Sequence, residues 1–260
     1  MSEPTLYPES GFLRLRIDLA YDGTNYSGWA KQPDRRTIQE EIEKALATIT
    51  RCPVATIVAG RTDAGVHASG QVIHVDVPET TDTTGVLFRL NQLLDEDIRI
   101  LKVISLDTAF NARFSAISRS YTYKILDANQ VLSPLHRLDV APWYRQLDVD
   151  ILNTASALLI GQHDFAAFCK FSDGTTTVRN LLRFDWIRDR DGYLIAQIAA
   201  DAFCYSMVRN LVGAVVCVAE GRYSLDWIAA MLANKERVPD SLVFEGRGLT
   251  LVHVQYPEQA

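Results

Sequence analysis

The segment AGRTDAGVHASGQV, residues 59–72, places the carboxylate of Asp63 two positions after the cation Arg61. Three glycines in this segment permit tight turns and close backbone approaches, so a ligand has room beside the acid. A nearby positive charge favours the ionised carboxylate, which suits a nucleophile better than a general acid. An isolated Arg-Thr-Asp more often belongs to an ordinary capped turn, so this interpretation depends on the rest of the chain.

Four further sequence blocks accompany this segment. They read YDGTNYSGW from Tyr21, FNARFSA from Phe110, RSYTY from Arg119 and FCYSMVRN from Phe203. Together with GRTDAGVH at residues 60–67, they occur in the order found in the TruA family of tRNA pseudouridine synthases, which the chain therefore resembles. Because the blocks extend over most of the chain, the resemblance does not rest on one short motif.

The resemblance implies a reaction that detaches uracil from its ribose, turns it and rejoins it through C5 instead of N1, with no cofactor. It makes Asp63 the essential nucleophile or base. The residues leave three roles open: addition to C6 of the base, attack on C1′ of the ribose, or removal of a sugar proton. Each role uses an ionised, partly dehydrated carboxylate.

The resemblance also assigns residues that bind the substrate. Tyr121 stacks on the target uracil after the base leaves its own stack. Arg209 pairs with Asp63 from the other domain, and Arg61 occupies the stack that the flipped base vacates. The two histidines inside family-like blocks, His67 and His163, are expected to be structural.

Leu249 is expected to give apolar contact to the uracil, in a segment that departs from the family pattern. Family members commonly carry Ala-Pro-x-x-Gly-Leu here, whereas this chain has VFEGRGL at residues 243–249. The missing Ala-Pro pair bears on the shape of the uracil pocket and on the range of target sites.

The net charge of −6 and the pI near 5.4 count against RNA binding when taken alone, because phosphate contacts demand cations. Net charge does not describe distribution, however, and a basic cleft on an acidic body is compatible with this sequence. We expect Lys31, Arg113 and Arg119 to contact RNA, since cations beside a site usually hold phosphates. The local cationic groups are Arg35 and Arg36; Arg113, Arg119 and Lys124; and Arg179, Arg183, Arg188 and Arg190.

Composition indicates a globular protein, with 48% hydrophobic residues among 260 and a mean hydropathy of −0.01. No apolar run approaches the roughly 20 residues of a membrane span, and the first ten residues lack the regions of a secretion signal. We therefore expect a cytoplasmic protein without membrane contact. The four cysteines and five histidines show no metal-ligand spacing, so we expect reduced thiols and no metal.

Hydrophobic periodicity predicts two α/β halves. The first has the ferredoxin-like order strand, helix, strand, strand, helix, strand, which places Asp63 between paired strands. Its first helix begins with a capping box of Thr37 and Glu40, and Asp148 caps a helix of the second half. The predicted strands cover residues 13–19, 54–58, 73–77, 98–104, 121–125, 193–200 and 249–254, and the predicted helices cover residues 38–49, 86–94, 149–161, 205–218 and 225–232.

The element order places a domain boundary near residue 107, with an N-terminal α/β domain of residues 1–106 and a C-terminal α/β domain of residues 107–260. The predicted fold class is α+β. The resemblance implies two ferredoxin-like domains related by a pseudo-two-fold axis, whose sheets join into one mixed, mainly antiparallel sheet with helices on one side and a central active cleft. It also implies tRNA as the partner, a homodimer, and uridines 38, 39 or 40 of the anticodon stem-loop as targets.

Two alternatives remain open on the sequence alone. A non-catalytic RNA-binding module of the same fold would keep the cations but would not need Asp63. A glycoside hydrolase also uses a carboxylate at C1′, but usually needs a second acid, for which Asp22 and Asp164 are candidates. Release of free uracil would separate the two enzymes.

Overall fold

The computed structural model describes residues 6–106, 109–128, 130–170, 176–235 and 243–258. Within these ranges the protein has ten β-strands and five α-helices, so the predicted α+β class is confirmed. The chain divides into two compact units: residues up to Ile117 and from Leu251 onward form unit 1, and Ser118–Thr250 form unit 2. None of the described helices combines the length and the apolarity that crossing a bilayer requires.

In chain order, unit 1 begins with β1 (Phe12–Tyr21), α1 (Ile38–Thr50), β2 (Thr56–Val58), β3 (His67–Pro78), α2 (Val86–Leu93) and β4 (Ile98–Leu106). Unit 2 contains β5 (Ser118–Leu126), β6 (Ala141–Pro142), α3 (Val149–Ala157), β7 (Gly161–Asp164), β8 (Val178–Arg188), β9 (Leu194–Ala200), α4 (Met207–Ala219) and α5 (Leu225–Asn234). The chain returns to unit 1 along β10 (Leu249–Gln255).

The strands of unit 1 lie in the order β4-β1-β3-β10. β1 pairs antiparallel with both β3 and β4, and the short β2 pairs antiparallel with residues 73–75 of β3. Gly70, nearer the start of β3, permits the pairing with β10, because a Cβ there would lie 2.2 Å from the carbonyl oxygen of Val252. The predicted element order of the first half is therefore confirmed.

Alternate residues of β1 fill the core of unit 1, where Leu15 and Ile17 are at most 1% exposed. Arg14, on the opposite face of β1, is also buried. It forms a two-pronged ion pair with Asp76 at 2.7 and 2.8 Å and donates to the carbonyl oxygen of Phe110. A buried guanidinium needs such partners, and this one anchors the FNARFSA block within unit 1.

The boundary between the two compact units lies between residues 117 and 118. The element order predicted it between residues 106 and 107. The FNARFSA block accounts for the difference, since Arg14 and Tyr256 both bind its backbone: Arg14 donates to Phe110, and the Tyr256 hydroxyl donates to Ala112 at 2.7 Å. Element order does not reveal these contacts, because they join residues far apart in the sequence.

Unit 2 has the strand order β5-β9-β8-β7, with antiparallel neighbours and with β6 parallel to β5. The sequence analysis did not predict β6, β7 or β8. In β8 a register shift between Leu181 and Arg183 interrupts the two-residue alternation by which strands are recognised. β6 and β7 are too short for any alternation to appear in the sequence.

The helix starts were predicted with mixed success. Asp148 caps α3, and its Oδ1 accepts hydrogen bonds from the backbone of Asp150 and Ile151 at 2.8 and 3.2 Å. Thr37 does precede α1, but its side chain makes no capping hydrogen bond, so the predicted capping box with Glu40 is wrong. Thr37 is fully buried, and its Oγ1 makes no hydrogen bond within the described residues.

α4 is the central apolar helix of unit 2. All of its first twelve residues except Arg209 are buried, which is the pattern of a helix surrounded by other elements. Arg209 is the one charged residue in the helix and lies in its first turn. The fold thus places a single half-buried cation at the beginning of an otherwise apolar helix.

Candidate active site

Asp63 lies in the loop of residues 59–66 that connects β2 to β3, as predicted. Within the loop Arg61 is exposed, Thr62 is only 7% exposed and Asp63 is half-buried. The buried Thr62 anchors the loop while its charged neighbours remain accessible. A carboxylate placed in this way can meet a substrate without movement of the backbone that carries it.

A hydrogen-bond network under the loop holds its backbone in place. The hydroxyl of Tyr21 lies 2.8 Å from Thr62 Oγ1, and Gln71 Nε2 donates both to Tyr21 Oη, at 3.2 Å, and to the carbonyl oxygen of Gly60, at 2.8 Å. The backbone N–H of Trp29 donates to the carbonyl oxygen of Thr62 at 3.0 Å. Burial raises the pKa of Tyr21 to about 12, so its hydroxyl keeps the proton that it can donate to Thr62.

Two glycines of the YDGTNYSGW block let a second chain segment approach the loop. A Cβ at Gly28 would lie 2.8 Å from the carbonyl oxygen of Thr62 and 3.1 Å from the carbonyl carbon of Asp63. Gly28 also has φ +90°, a conformation that favours glycine. A Cβ at Gly23 would lie 2.0 Å from the carbonyl oxygen of Val66. The sequence analysis quoted this block without a role; its glycines allow it to buttress Asp63.

His67 is 7% exposed and lies at the start of β3. Its Nδ1 accepts a hydrogen bond from the backbone N–H of Gly23 at 3.1 Å. This bond joins the YDGTNYSGW block to the segment that follows Asp63. The geometry supports the structural role expected for His67.

In unit 2, Tyr121 lies on β5 and is 7% exposed. Its ring meets that of Phe203 at a centroid distance of 5.2 Å and an interplanar angle of 89°. Tyr123, two residues on, is fully buried and donates from its hydroxyl to the carbonyl oxygen of Glu245 at 2.7 Å. Tyr123 is therefore a core residue. Sequence reasoning missed Phe203, although it is the first aromatic residue of the FCYSMVRN block.

Arg209 is joined to the backbone of Phe244 by two hydrogen bonds, one from its side chain and one to its own backbone. Arg209 Nε donates to the carbonyl oxygen of Phe244 at 2.6 Å, and the N–H of Phe244 donates to the carbonyl oxygen of Arg209 at 3.3 Å. The ring of Phe244 lies 4.9 Å from that of Trp143 and 5.8 Å from that of Tyr123. The guanidinium is thus oriented by a segment that is itself fixed in an aromatic cluster.

The segment that lacks the Ala-Pro pair is well packed. Phe244 and Leu249 are 7% and 5% exposed. A Cβ at Gly248 would lie 2.7 Å from two ring carbons of Tyr123, so glycine allows the segment to cross that ring. The departure from the family pattern therefore coincides with an aromatic anchor, and residues 243–245 also line a cavity of about 100 Å³ beside Trp143.

The three candidate RNA contacts have different surroundings. Arg113 is exposed and lies 5.3 Å from the ring centroid of Phe114. Arg119 is only 8% exposed, and its Nη1 donates to the carbonyl oxygen of Asp201 at 2.8 Å. Lys31 is half exposed and forms an ion pair with the buried carboxylate of Glu43. Lys31 and Arg113 are therefore accessible, whereas Arg119 is buried.

Several members of the predicted cationic groups are paired with carboxylates. This pairing reduces the positive potential that the sequence suggested, since each ion pair is locally neutral. The pairs are Arg36 with Asp95 and Asp97, Lys124 with Asp139, Arg183 with Asp185, and Arg188 with Asp127.

The candidate residues divide between the units: Asp63 and Arg61 belong to unit 1, whereas Tyr121, Arg209 and Leu249 belong to unit 2. The expected pairing of Asp63 with Arg209 joins residues of different units and stays a prediction. In the part of the chain that the structure describes, no three or more His, Cys, Asp or Glu side chains are grouped to hold a metal ion.

Comparisons with known proteins bear on the class of protein. A family model described as tRNA pseudouridine synthase matches residues 19–115 and 155–257. Proteins named tRNA pseudouridine synthase A are 50% identical in Frankia casuarinae, 49% in Streptomyces griseus and 48% in Cutibacterium acnes. These matches cover 95%, 97% and 94% of this chain and 90%, 91% and 89% of the relatives.

The class that these matches define is an RNA-modifying isomerase, and the expectation of an enzyme of this class is confirmed. The chain belongs to the tRNA pseudouridine synthase family. The matched ranges include Asp63, Arg61, Arg209 and Leu249, whereas Tyr121 falls between them.

Proposed function

We propose that this protein converts uridine to pseudouridine at position 38, 39 or 40 of the tRNA anticodon stem-loop, with Asp63 as nucleophile or base. Family membership supports pseudouridylation of tRNA. The observation that carries the role of Asp63 is its placement: a half-buried carboxylate on a loop whose backbone is fixed by Tyr21, Gln71 and Gly28.

The proposed reaction is an isomerisation and needs no oxidant or reductant. The bond between N1 and C1′ breaks, the bond between C5 and C1′ forms, C5 loses a proton and N1 gains one. A carboxylate can supply the covalent attachment or the proton transfer that the steps require. The fixed loop lowers the entropy that is lost when Asp63 and the nucleotide are brought together.

The other candidate residues have proposed roles in binding. Arg61 is exposed beside Asp63, as a residue that enters a base stack must be. Tyr121 supplies an aromatic ring for the uracil, with its plane fixed by Phe203. Arg209 supplies an oriented positive charge for the catalytic carboxylate or the substrate, and Leu249 supplies apolar contact.

RNA contacts are proposed for Lys31, Arg113 and Arg119, although Lys31 also pairs with Glu43 and Arg119 also donates to the Asp201 carbonyl oxygen. These contacts are sequence-independent, since cations at phosphates set the position of an RNA without reading its bases. Each phosphate contact releases counterions from the RNA, so the affinity for tRNA is expected to fall as the salt concentration rises.

The working form is proposed to be a cytoplasmic homodimer. An anticodon arm gripped by one subunit then presents its uridines to the other. Light scattering during size exclusion tests this directly: a dimer gives twice the 29.1 kDa mass of one chain. A monomer mass throughout the working concentration range would contradict it.

The target positions are tested with tRNA transcripts that carry uridine at only one of positions 38, 39 and 40. Pseudouridine has the mass of uridine, so digested nucleosides are separated by chromatography, and carbodiimide adducts are mapped as stops of reverse transcription. We expect pseudouridine at one or more of these positions and no free uracil. Free uracil would indicate a glycoside hydrolase, and pseudouridine only elsewhere would contradict the proposed positions.

A further inference from the structure

Cys169 and Cys204 lie side by side in unit 2. Both are unoxidised, and each thiol is the largest influence on the pKa of the other. Cys169 is 4% exposed, whereas Cys204 is half-buried and belongs to the FCYSMVRN block. The sequence analysis expected reduced thiols, and nothing in their spacing predicts that these two cysteines meet.

The neighbouring backbone holds the two cysteines in this position. The N–H of Lys170 donates to the carbonyl oxygen of Tyr205 at 3.0 Å, so the residues that follow the two cysteines are directly bonded. The side chain of Asn210 donates to the carbonyl oxygens of Phe168 and Ser206 at 2.9 and 3.1 Å. Three hydrogen bonds thus flank the pair, and its proximity does not depend on two side-chain rotamers alone.

The surroundings give the two thiols different reactivity. The Cys169 thiol lowers the pKa of Cys204 against the effect of burial. The charge of Arg179 acts in the same direction, and the charges of Asp164 and Asp201 act in the opposite direction. The Cys204 thiol, with burial, raises the pKa of Cys169. A partly accessible thiol with a lowered pKa beside a buried second thiol has the features of a redox-sensitive pair.

The other two cysteines lack these features. Burial raises the pKa of Cys217, on α4, to about 11. Cys52 belongs to unit 1, and its Sγ lies 3.6 Å from Thr50 Oγ1. They therefore provide internal controls for any oxidation.

We propose that Cys169 and Cys204 are a modification site at which a hydroperoxide forms a reversible disulfide. The Cys204 thiolate attacks the peroxide oxygen, which gives a sulfenic acid and an alcohol or water. The Cys169 thiol then displaces water from that sulfenic acid and closes the sulfur–sulfur bond. The two thiols lose two electrons and two protons in total, and the peroxide takes up the two electrons.

The disulfide would constrain the segment that precedes α4. That segment carries Phe203, which contacts Tyr121, and leads into Arg209. The consequence for activity rests on the proposed function, but formation of the disulfide does not. We expect oxidation to lower pseudouridylation by about tenfold or more, since small misplacements of catalytic groups reduce rates steeply, and we expect a dithiol reductant to restore it.

The test treats the full-length protein with hydrogen peroxide, alkylates the remaining thiols and maps the peptides by mass spectrometry. We expect a disulfide-linked pair of peptides that contain Cys169 and Cys204, two hydrogens lighter than their sum, with Cys217 alkylated after unfolding. Cys52→Ser should form the same disulfide. Cys169→Ser should instead accumulate a sulfenic acid at Cys204 that reacts with dimedone.

Alkylation of both Cys169 and Cys204 after peroxide treatment would overturn the proposal, and so would direct overoxidation of Cys204 in wild-type protein. Circular dichroism confirms that each variant is folded. A disulfide in a protein without activity before oxidation would leave this proposal standing and contradict the proposed function. Full activity in the disulfide form would overturn the predicted effect on catalysis.

Discussion

Arg209 and Phe244 bind each other through two hydrogen bonds, one from the guanidinium Nε to the Phe244 carbonyl oxygen and one from the Phe244 N–H to the Arg209 carbonyl oxygen. The residues are far apart in sequence and come from different blocks. This chain therefore orients its proposed active-site arginine with an aromatic anchor. The anchor makes the orientation of Arg209 testable apart from its charge.

Arg209→Lys keeps the charge but removes the Nε donor and the planar fork. We expect kcat to fall about thirtyfold, corresponding to about 2 kcal/mol for a hydrogen bond to a charged group, with little change in KM. Arg183→Lys is the matched control, because Arg183 is an exposed arginine paired with Asp185. Steady-state kinetics with tRNA give kcat and KM for Arg209→Lys and Arg183→Lys. Equal kcat values for the two variants would assign Arg209 a structural role alone.

Gly28→Ala should displace the Asp63 loop. The new Cβ would lie 2.8 Å from the Thr62 carbonyl oxygen, in addition to the strain of φ +90°. Gly11→Ala is the control, since Gly11 has φ +84° and no atom within 4 Å of its Cβ position. We expect Gly11→Ala to cost about 1 kcal/mol from backbone strain and Gly28→Ala about 1–3 kcal/mol more from overpacking.

Urea unfolding measures the free energy of unfolding of both glycine variants, and an assay of pseudouridylation distinguishes the two variants further. Gly28→Ala should lose activity under conditions in which it remains folded, whereas Gly11→Ala should keep it. Equal stability and equal activity of the two variants would mean that Gly28 does not support the loop.

His74 makes stability depend on pH. Burial and the charge of Arg14 lower its pKa from 6.5 to about 4, although Asp76 acts in the opposite direction. Below pH 6.5 His74 is protonated in the unfolded chain but stays neutral in the folded protein until the pH approaches 4. The free energy of unfolding that His74 contributes above pH 6.5 is therefore lost as the pH falls towards 4. The loss from this group reaches about 3 kcal/mol at most.

His74→Asn should flatten that part of the pH profile. An asparagine oxygen can still accept the hydrogen bond that Ala112 N–H donates to His74 Nδ1 at 3.0 Å. Urea unfolding of wild type and variant between pH 7.5 and pH 4.5 makes the comparison. If the free energies of unfolding of wild type and His74→Asn change in parallel over this pH range, His74 is not the source of the pH dependence.

The ion pair of Asp127 with Arg188 should contribute far more to stability than that of Asp185 with Arg183. Asp127 is fully buried and accepts two bonds from Arg188, at 2.7 and 2.9 Å, and one from the N–H of Leu147. Asp127→Asn should cost about 3 kcal/mol, since it leaves a partly buried guanidinium without its counter-ion. Asp185→Asn, in the exposed pair on the same strand, should cost less than about 1 kcal/mol. Equal losses of stability for Asp127→Asn and Asp185→Asn in thermal unfolding would contradict the predicted difference between the two ion pairs.

The sequence predicted the parts of the fold that depend on local pattern. β1 alternates strictly, α4 has a continuous apolar pattern, and Asp148 has the side chain of a helix cap, so all three were found. The capping box at Thr37 was predicted from residue types alone, and the buried side chain makes no capping hydrogen bond. β8 was missed because its register shift breaks the alternation.

The candidate site was predictable to the extent that it resembles a known motif. Asp63 stands in such a motif and in a predicted turn. The close approach of Gly28, the contact of Phe203 with Tyr121 and the anchor of Arg209 on Phe244 were not predicted, because each joins segments distant in sequence. Spacing along one chain does not show which of these segments meet.

The measurement that tests the central claim most directly is tritium release from tRNA that carries [5-³H]uridine. It compares wild type, Asp63→Asn and the control Asp82→Asn, whose carboxylate is in an exposed turn of unit 1. We predict release by wild type and Asp82→Asn, and only background release by Asp63→Asn, which should still bind tRNA. Wild-type release by a folded Asp63→Asn protein would contradict the account.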